Sequence, residues 1–158
     1  MLPDYEIVPA RGIGILLFGI TKEELADILG APDEIEPTNE IRGVNRENYS
    51  YNSINCSFSF DQDHDGKLVE ISVENGYFHV ENQIRVGVTK NDLLNLGTKF
   101  KLGDPFIEDR KNEEFPSREL ISYDLLGLHL YLDEGRISVI RIRVLSNIDG
   151  SINWPEIE

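Results

Sequence analysis

The chain has 158 residues and a mass of 18.0 kDa, with 40% hydrophobic and 28% charged residues and a formal net charge of −14. That is the composition of one folded domain, and its single cysteine, Cys56, excludes an intrachain disulfide. The acidic balance argues against nucleic acid and anionic membrane surfaces as partners, and no apolar run is long enough to span a bilayer. The excess is uneven: residues 1–75 hold 15 acids and 5 bases, net −10, and residues 76–158 hold 14 acids and 10 bases, net −4. A basic partner is therefore expected at the first half.

The first ten residues, MLPDYEIVPA, lack the basic and apolar regions of a signal peptide, so a cytoplasmic location is expected. An extended apolar stretch at 13–18 leads to Thr21, which reads as a helix N-cap with Glu24 closing a capping box. Leu25, Ile28 and Leu29 share one helical face, Gly30 is a C-cap candidate and Pro32 prevents continuation. The stretch 33–48 reads as a polar loop. Cys56, Phe58 and Phe60 then alternate with Ser57 and Ser59, the pattern of a half-buried strand, and a return strand follows over 68–73. A short apolar stretch at 84–86 precedes a second capped helix start, Thr89 with Asp92. Residues 108–119 read as another polar loop. Leu128, Leu130 and Leu132 alternate like 56–60, Asp133-Glu134-Gly135-Arg136 is a tight hairpin turn, and 137–144 is the return strand. The tail 146–158 is expected to be anchored by Trp154.

Five blocks recur in the same order about 70 residues apart. Phe18-Gly19-Ile20-Thr21-Lys22 matches Val86-Gly87-Val88-Thr89-Lys90, and Gly30-Ala31-Pro32 matches Gly103-Asp104-Pro105. Ser50-Tyr51-Asn52 matches Ser122-Tyr123-Asp124, residues 56–61 match 128–133, and 66–71 match 135–140. The expected fold is α+β: a tandem duplication of a helix-plus-antiparallel β-meander unit, with the helices packed on one sheet face. The units are 1–75 and 76–145, followed by the tail 146–158, in one compact domain.

The motifs Gly19-Ile20-Thr21, Leu29-Gly30-Ala31-Pro32, Tyr49 and Tyr51, residues 57–61 and Gly66-Lys67-Leu68 together resemble the helix-plus-meander domain of the SmpA/OmlA family of outer-membrane assembly lipoproteins. Tandem copies of a similar unit make up the beta-lactamase inhibitory proteins. The resemblance implies protein binding rather than catalysis. In size and acidity the chain is also similar to bacterial toxin-immunity proteins.

Among local motifs, Asp61-Gln62-Asp63-His64-Asp65-Gly66 matches the first six positions of a calcium-binding loop, with Asp61, Asp63 and Asp65 as the carboxylates. Position 12 is Ser72 rather than Glu, and strands rather than helices flank it, so an Asp/Gly-rich hairpin loop is the competing reading. The histidines, His64, His79 and His129, have no zinc-binding spacing. Cys56 shares a face with Phe58 and Phe60, which is a core position rather than that of a nucleophile. No Gly-x-Ser-x-Gly motif or phosphate loop occurs. The expected function is thus a non-enzymatic protein-binding module, an inhibitor or immunity protein for a basic partner, with no cofactor. Asp33, Glu34, Glu36 and Glu40 in the first loop, with His129 and Tyr131 on the open sheet face, are its candidate contacts. A calcium- or ligand-binding domain using 61–66 is the alternative. The sequence leaves the oligomeric state open.

Overall fold

A computed structural model describes residues 5–38 and 45–156. Short strands β1 (Ile7–Val8), β2 (Gly12–Ile13) and β3 (Leu16–Leu17) form a small antiparallel sheet ahead of helix α1 (Lys22–Leu29). The strands β4 (Glu34–Thr38), β5 (Arg46–Tyr51), β6 (Cys56–Asp61) and β7 (Lys67–Val73) follow, then α2 (Lys90–Lys99). Then come β8 (Phe106–Asp109), β9 (Glu119–Tyr123), β10 (Leu128–Asp133) and β11 (Arg136–Arg143). A terminal ribbon, β12 (Leu145–Ser146) and β13 (Ile152–Asn153), completes the chain.

Local chemistry sets the boundaries. The Thr21 hydroxyl accepts the Glu24 N–H at 3.2 Å and the Glu24 carboxylate accepts the Thr21 N–H at 3.1 Å, a closed capping box. The Thr89 hydroxyl accepts the Asp92 N–H at the start of α2. Helix α1 stops at Gly30, whose φ of 85° suits glycine. The β10–β11 hairpin turns on Glu134 and Gly135, both at positive φ, the backbone of a two-residue turn that follows the strand twist.

The eight longer strands form one antiparallel sheet in the order β4-β5-β6-β7-β11-β10-β9-β8. Its core face is built from cross-strand rows. Phe58, Ile71, Ile142, Leu128 and Tyr123 lie side by side, as do Tyr51, Cys56, Val73, Ile140, Leu130 and Ile121, and all are buried. Leu25 of α1, Leu93 of α2 and Ile13, Leu16 and Ile84 join the same cluster. Each such side chain contributes roughly 1.5–3 kcal/mol relative to exposure.

The expected α+β tandem of helix-plus-meander units is corrected by this architecture. The described residues are mainly β: the two α-helices among them have only 8 and 10 residues, and the longer strands fuse into one eight-stranded sheet. The two polar loops are corrected with it. Residues 34–38 of the first are the edge strand β4, paired with β5; of the second, 110–118 do connect strands, and only its ends differ, 108–109 closing the opposite edge strand β8 and 119 opening β9. Ile35, Phe106 and Ile107 are exposed, so neither strand carries the one-sided alternation that marks a half-buried strand. Pro37 fits an edge position, where a missing N–H breaks no ladder.

Candidate functional site

The sheet face away from the core is largely polar because most outward positions of the strands are polar; Val139, Leu120 and Phe106 on the β8–β11 side are the apolar ones. One row crosses all eight strands: Glu34, Ser50, Ser57, Ser72, Arg141, His129, Ser122 and Phe106. A second row runs Glu36, Asn48, Ser59, Glu70 and Arg143, and a third Val139, Tyr131, Leu120 and Glu108. At about 4.8 Å per strand step, Glu34 and His129 stand about 24 Å apart on one continuous surface.

Over the β4–β7 side the short Asn and Ser side chains leave a groove of about 570 Å³, whose charged lining is Glu36, Arg46, Glu70, Arg141 and Arg143. Glu70 sits between two guanidiniums, 3.5 Å from Arg46 Nη1 and 3.9 Å from Arg141 Nε. Arg141 Nε also donates to Ser72 Oγ at 2.9 Å. Among the described residues, the Ser59 hydroxyl and Arg46 Nε are buried here without a hydrogen-bond partner.

Over the β8–β11 side the face is closed by larger, interlocked groups. Arg118 donates to Asp133 through Nε at 3.0 Å and Nη2 at 2.8 Å, and its guanidinium lies 5.2 Å from the centre of the Tyr131 ring. Arg141 covers the same ring at 5.1 Å and donates to its hydroxyl at 3.3 Å. The Arg118 guanidinium holds the Asp133 carboxyl below its ordinary pKa.

His129 is 7% exposed and both ring nitrogens are engaged. Arg143 Nε donates to His129 Nε2 at 3.0 Å; because arginine only donates, Nε2 accepts and Nδ1 carries the proton. Nδ1 therefore donates to Ser122 Oγ, 3.0 Å away. This is the reverse of general-base activation, in which the imidazole accepts from the serine, and the group behind the ring is a cation rather than a carboxylate. Burial first, and Arg143 next, lower the pKa of His129. Cys56 is buried in the core, and desolvation pushes its thiol pKa up to about 12, so it carries no thiolate at neutral pH.

The structure distributes the sequence-selected residues over this face unevenly. Glu34 and Glu36 are exposed on edge strand β4, and Glu36 lines the groove. Asp33 is exposed just before it, where its carboxylate accepts the Asn52 N–H at 2.7 Å and so fastens the strand. Glu40 lies outside the described residues. His129 and Tyr131 are on the same face as Glu34 and Glu36 but near the other side of the sheet; His129 is buried rather than solvent-facing because Arg143 and Ser122 enclose it. Asp61, Asp63 and Asp65 lie in the hairpin loop between β6 and β7. Asp61 there accepts the Asp63 N–H at 2.9 Å and contacts His64 Nδ1 at 2.9 Å. Among the described residues no group of three or more His, Cys, Asp or Glu is placed to hold a metal ion. Sequence reasoning missed Arg46, Glu70, Arg141 and Arg143. The alternation of Ile140-Arg141-Ile142-Arg143 signals two outward arginines, but nothing local signals that Ser72 lies beside Arg141, 69 residues away.

No protein-family model matches the chain, and no curated protein matches it. The lipoprotein resemblance accordingly remains one of short motifs. Two solved structures are similar at low identity. One is an extracellular protein containing an SCP domain from Bacillus anthracis, 16% identical with a TM-score of 0.48 over 78% of this chain. This chain spans 42% of that structure's length. The other is a "putative beta-lactamase inhibitor protein" from Streptococcus mutans, 16% identical with a TM-score of 0.32, covering 75% of this chain and 79% of that one.

Proposed function

We propose that this protein is a non-enzymatic binding module, of inhibitor or immunity type, that docks one protein across the open face of its eight-stranded sheet. The observation that carries this reading is the continuous polar face. Its outward residues extend unbroken from Glu34 on the edge to His129 and Ser122, a span of about 24 Å from Glu34 to His129. That is the width of a patch of about 800 Å² per partner, typical of a specific protein–protein interface and far wider than a small ligand. The orientation of the Ser122–His129 pair and the protonated thiol of Cys56 support a binding rather than a catalytic role.

The exposed carboxylates of Glu34 and Glu36 on the edge strand, in a chain of net charge −14, favour a partner that is basic at this rim. The test is affinity capture from the source organism at low and at moderately raised salt, with the wild type and with Glu34→Lys/Glu36→Lys. The expected result is one basic protein held near one-to-one by the wild type, weakened by salt and lost by the charge-reversed chain. Retention of the same protein by the charge-reversed chain at both salts would contradict the basic-rim reading.

A further inference from the structure

We infer that the groove on the β4–β7 side of the sheet seats a single carboxylate side chain of the protein partner; this rests on the reading of that face as a docking surface. The groove is locally inverted in charge. Its lining holds three arginines, Arg46, Arg141 and Arg143, against two carboxylates, Glu36 and Glu70, a net of +1 in a chain of net −14. Glu70 is shared between Arg46 and Arg141, and Arg143 forms no salt bridge among the described residues; its Nε is spent on His129.

The hydrogen-bond balance points the same way. Among the described residues, Ser59 Oγ and Arg46 Nε are buried in the groove without a partner; both bring a proton to donate, and Ser59 is only 5% exposed. A buried unmatched donor costs about 1–3 kcal/mol; Arg46 Nε can be matched only by an acceptor, and an acceptor also takes the Ser59 proton. A carboxylate supplies two acceptor oxygens in the planar geometry that guanidinium groups match. The net of +1 fits one negative charge. A phosphate dianion would bring a second charge against Glu36 and Glu70. The groove lies within the face that spans Glu34 to His129, so a carboxylate borne on a docked protein reaches it as that protein covers the sheet.

The test uses the purified full chain and needs no partner. The probe is N-acetyl-glutamate α-amide, which carries one carboxylate, and its neutral control is N-acetyl-glutamine α-amide. Binding is read from the arginine Nε–H resonances. The expected result is a saturable shift at Arg46, Arg141 and Arg143, no response to the neutral control, and a loss of roughly fivefold in affinity in Ser59→Ala and in Arg143→Gln, equivalent to one hydrogen bond. Equal responses to probe and control, shifts spread equally to Arg11 and Arg85 outside the groove, or tighter binding of inorganic phosphate would each overturn the inference. Absence of saturation would do so too. The outcome is separable from that of the docking reading: partner capture that survives a failed titration removes the carboxylate seat alone, whereas a saturable titration without any captured partner removes the docking reading and the protein-borne source of the carboxylate, leaving a site for a free carboxylate.

Discussion

The two sides of the sheet have the same strand count and direction, and they use their outward positions in opposite ways. On the β4–β7 side, between Glu34, Glu36, Arg46 and Glu70, those positions include Asn48, Ser50, Ser57, Ser59 and Ser72, side chains too short to fill the space above the sheet, and a groove of about 570 Å³ opens with donors unmatched among the described residues. On the β8–β11 side they are Leu120, His129, Tyr131 and Val139, and the arginines there lie over Tyr131 or bond to Asp133. The remaining space is about 250 Å³. One backbone arrangement thus yields an open groove on one side and a more filled face on the other, a difference that side-chain size largely sets. The core face shows a parallel contrast. The Tyr51 hydroxyl donates to the Gly30 carbonyl at 2.9 Å, whereas the Tyr123 hydroxyl is buried beneath Gly97 of α2 with no partner among the described residues.

That second contrast gives the largest expected effect. A Cβ on Gly97 would lie 2.3 Å from the Tyr123 hydroxyl, so Gly97→Ala must displace a ring locked in the core. The expected loss is about 3 kcal/mol in a urea melt, at the upper end of overpacking costs. Adding Tyr123→Phe should recover a large part of it, a coupling that a double-mutant cycle reads directly. Next come the two tyrosines alone. Tyr51→Phe should cost about 1 kcal/mol, whereas Tyr123→Phe should be neutral or stabilising, since it removes a buried hydroxyl that bonds to none of the described residues. Equal effects from the two would dissolve the contrast.

His129 gives a smaller, pH-dependent effect. Its folded pKa lies below the ordinary 6.5, with Arg143 and Arg141 facing it as cations and Asp124 and Glu70 as partly compensating anions. The unfolded chain takes up the proton first as the pH falls below 6.5. Stability therefore declines from there toward the folded pKa and levels off beneath it. His129→Gln should flatten that part of the stability–pH profile; an unchanged slope would show that the buried His129 is not its source. The smallest expected effect concerns the 61–66 loop. With Asp61 engaged by Asp63 N–H and His64, melts with calcium and with chelator should superimpose.

What the sequence discloses follows from where each signal is stored. Caps and tight turns are local, so Thr21 with Glu24, Gly30 and the 133–136 turn were all readable. Strands buried on one face alternate, so Cys56, Phe58, Leu128 and Leu130 read as core and Tyr131 as outward. Edge strands exposed on both faces do not alternate, and β4 and the end of β8, 108–109, read as loop for that reason. Short alternating segments do not reveal that they join one sheet, so the helices were given more weight in the architecture than their 8 and 10 residues carry. The groove was the least legible feature. Its arginines come from β5 and β11, and only the β7–β11 pairing brings them around Glu70.

The most direct test of the docking face is to give one side the volume of the other. Ser57→Trp places a large side chain in the groove, and Asn95→Lys on the exposed surface of α2 serves as the control. With melting temperatures matched, partner capture should be lost by Ser57→Trp and kept by Asn95→Lys. Full capture by Ser57→Trp would contradict the account, because a partner seated on this face cannot tolerate a filled groove.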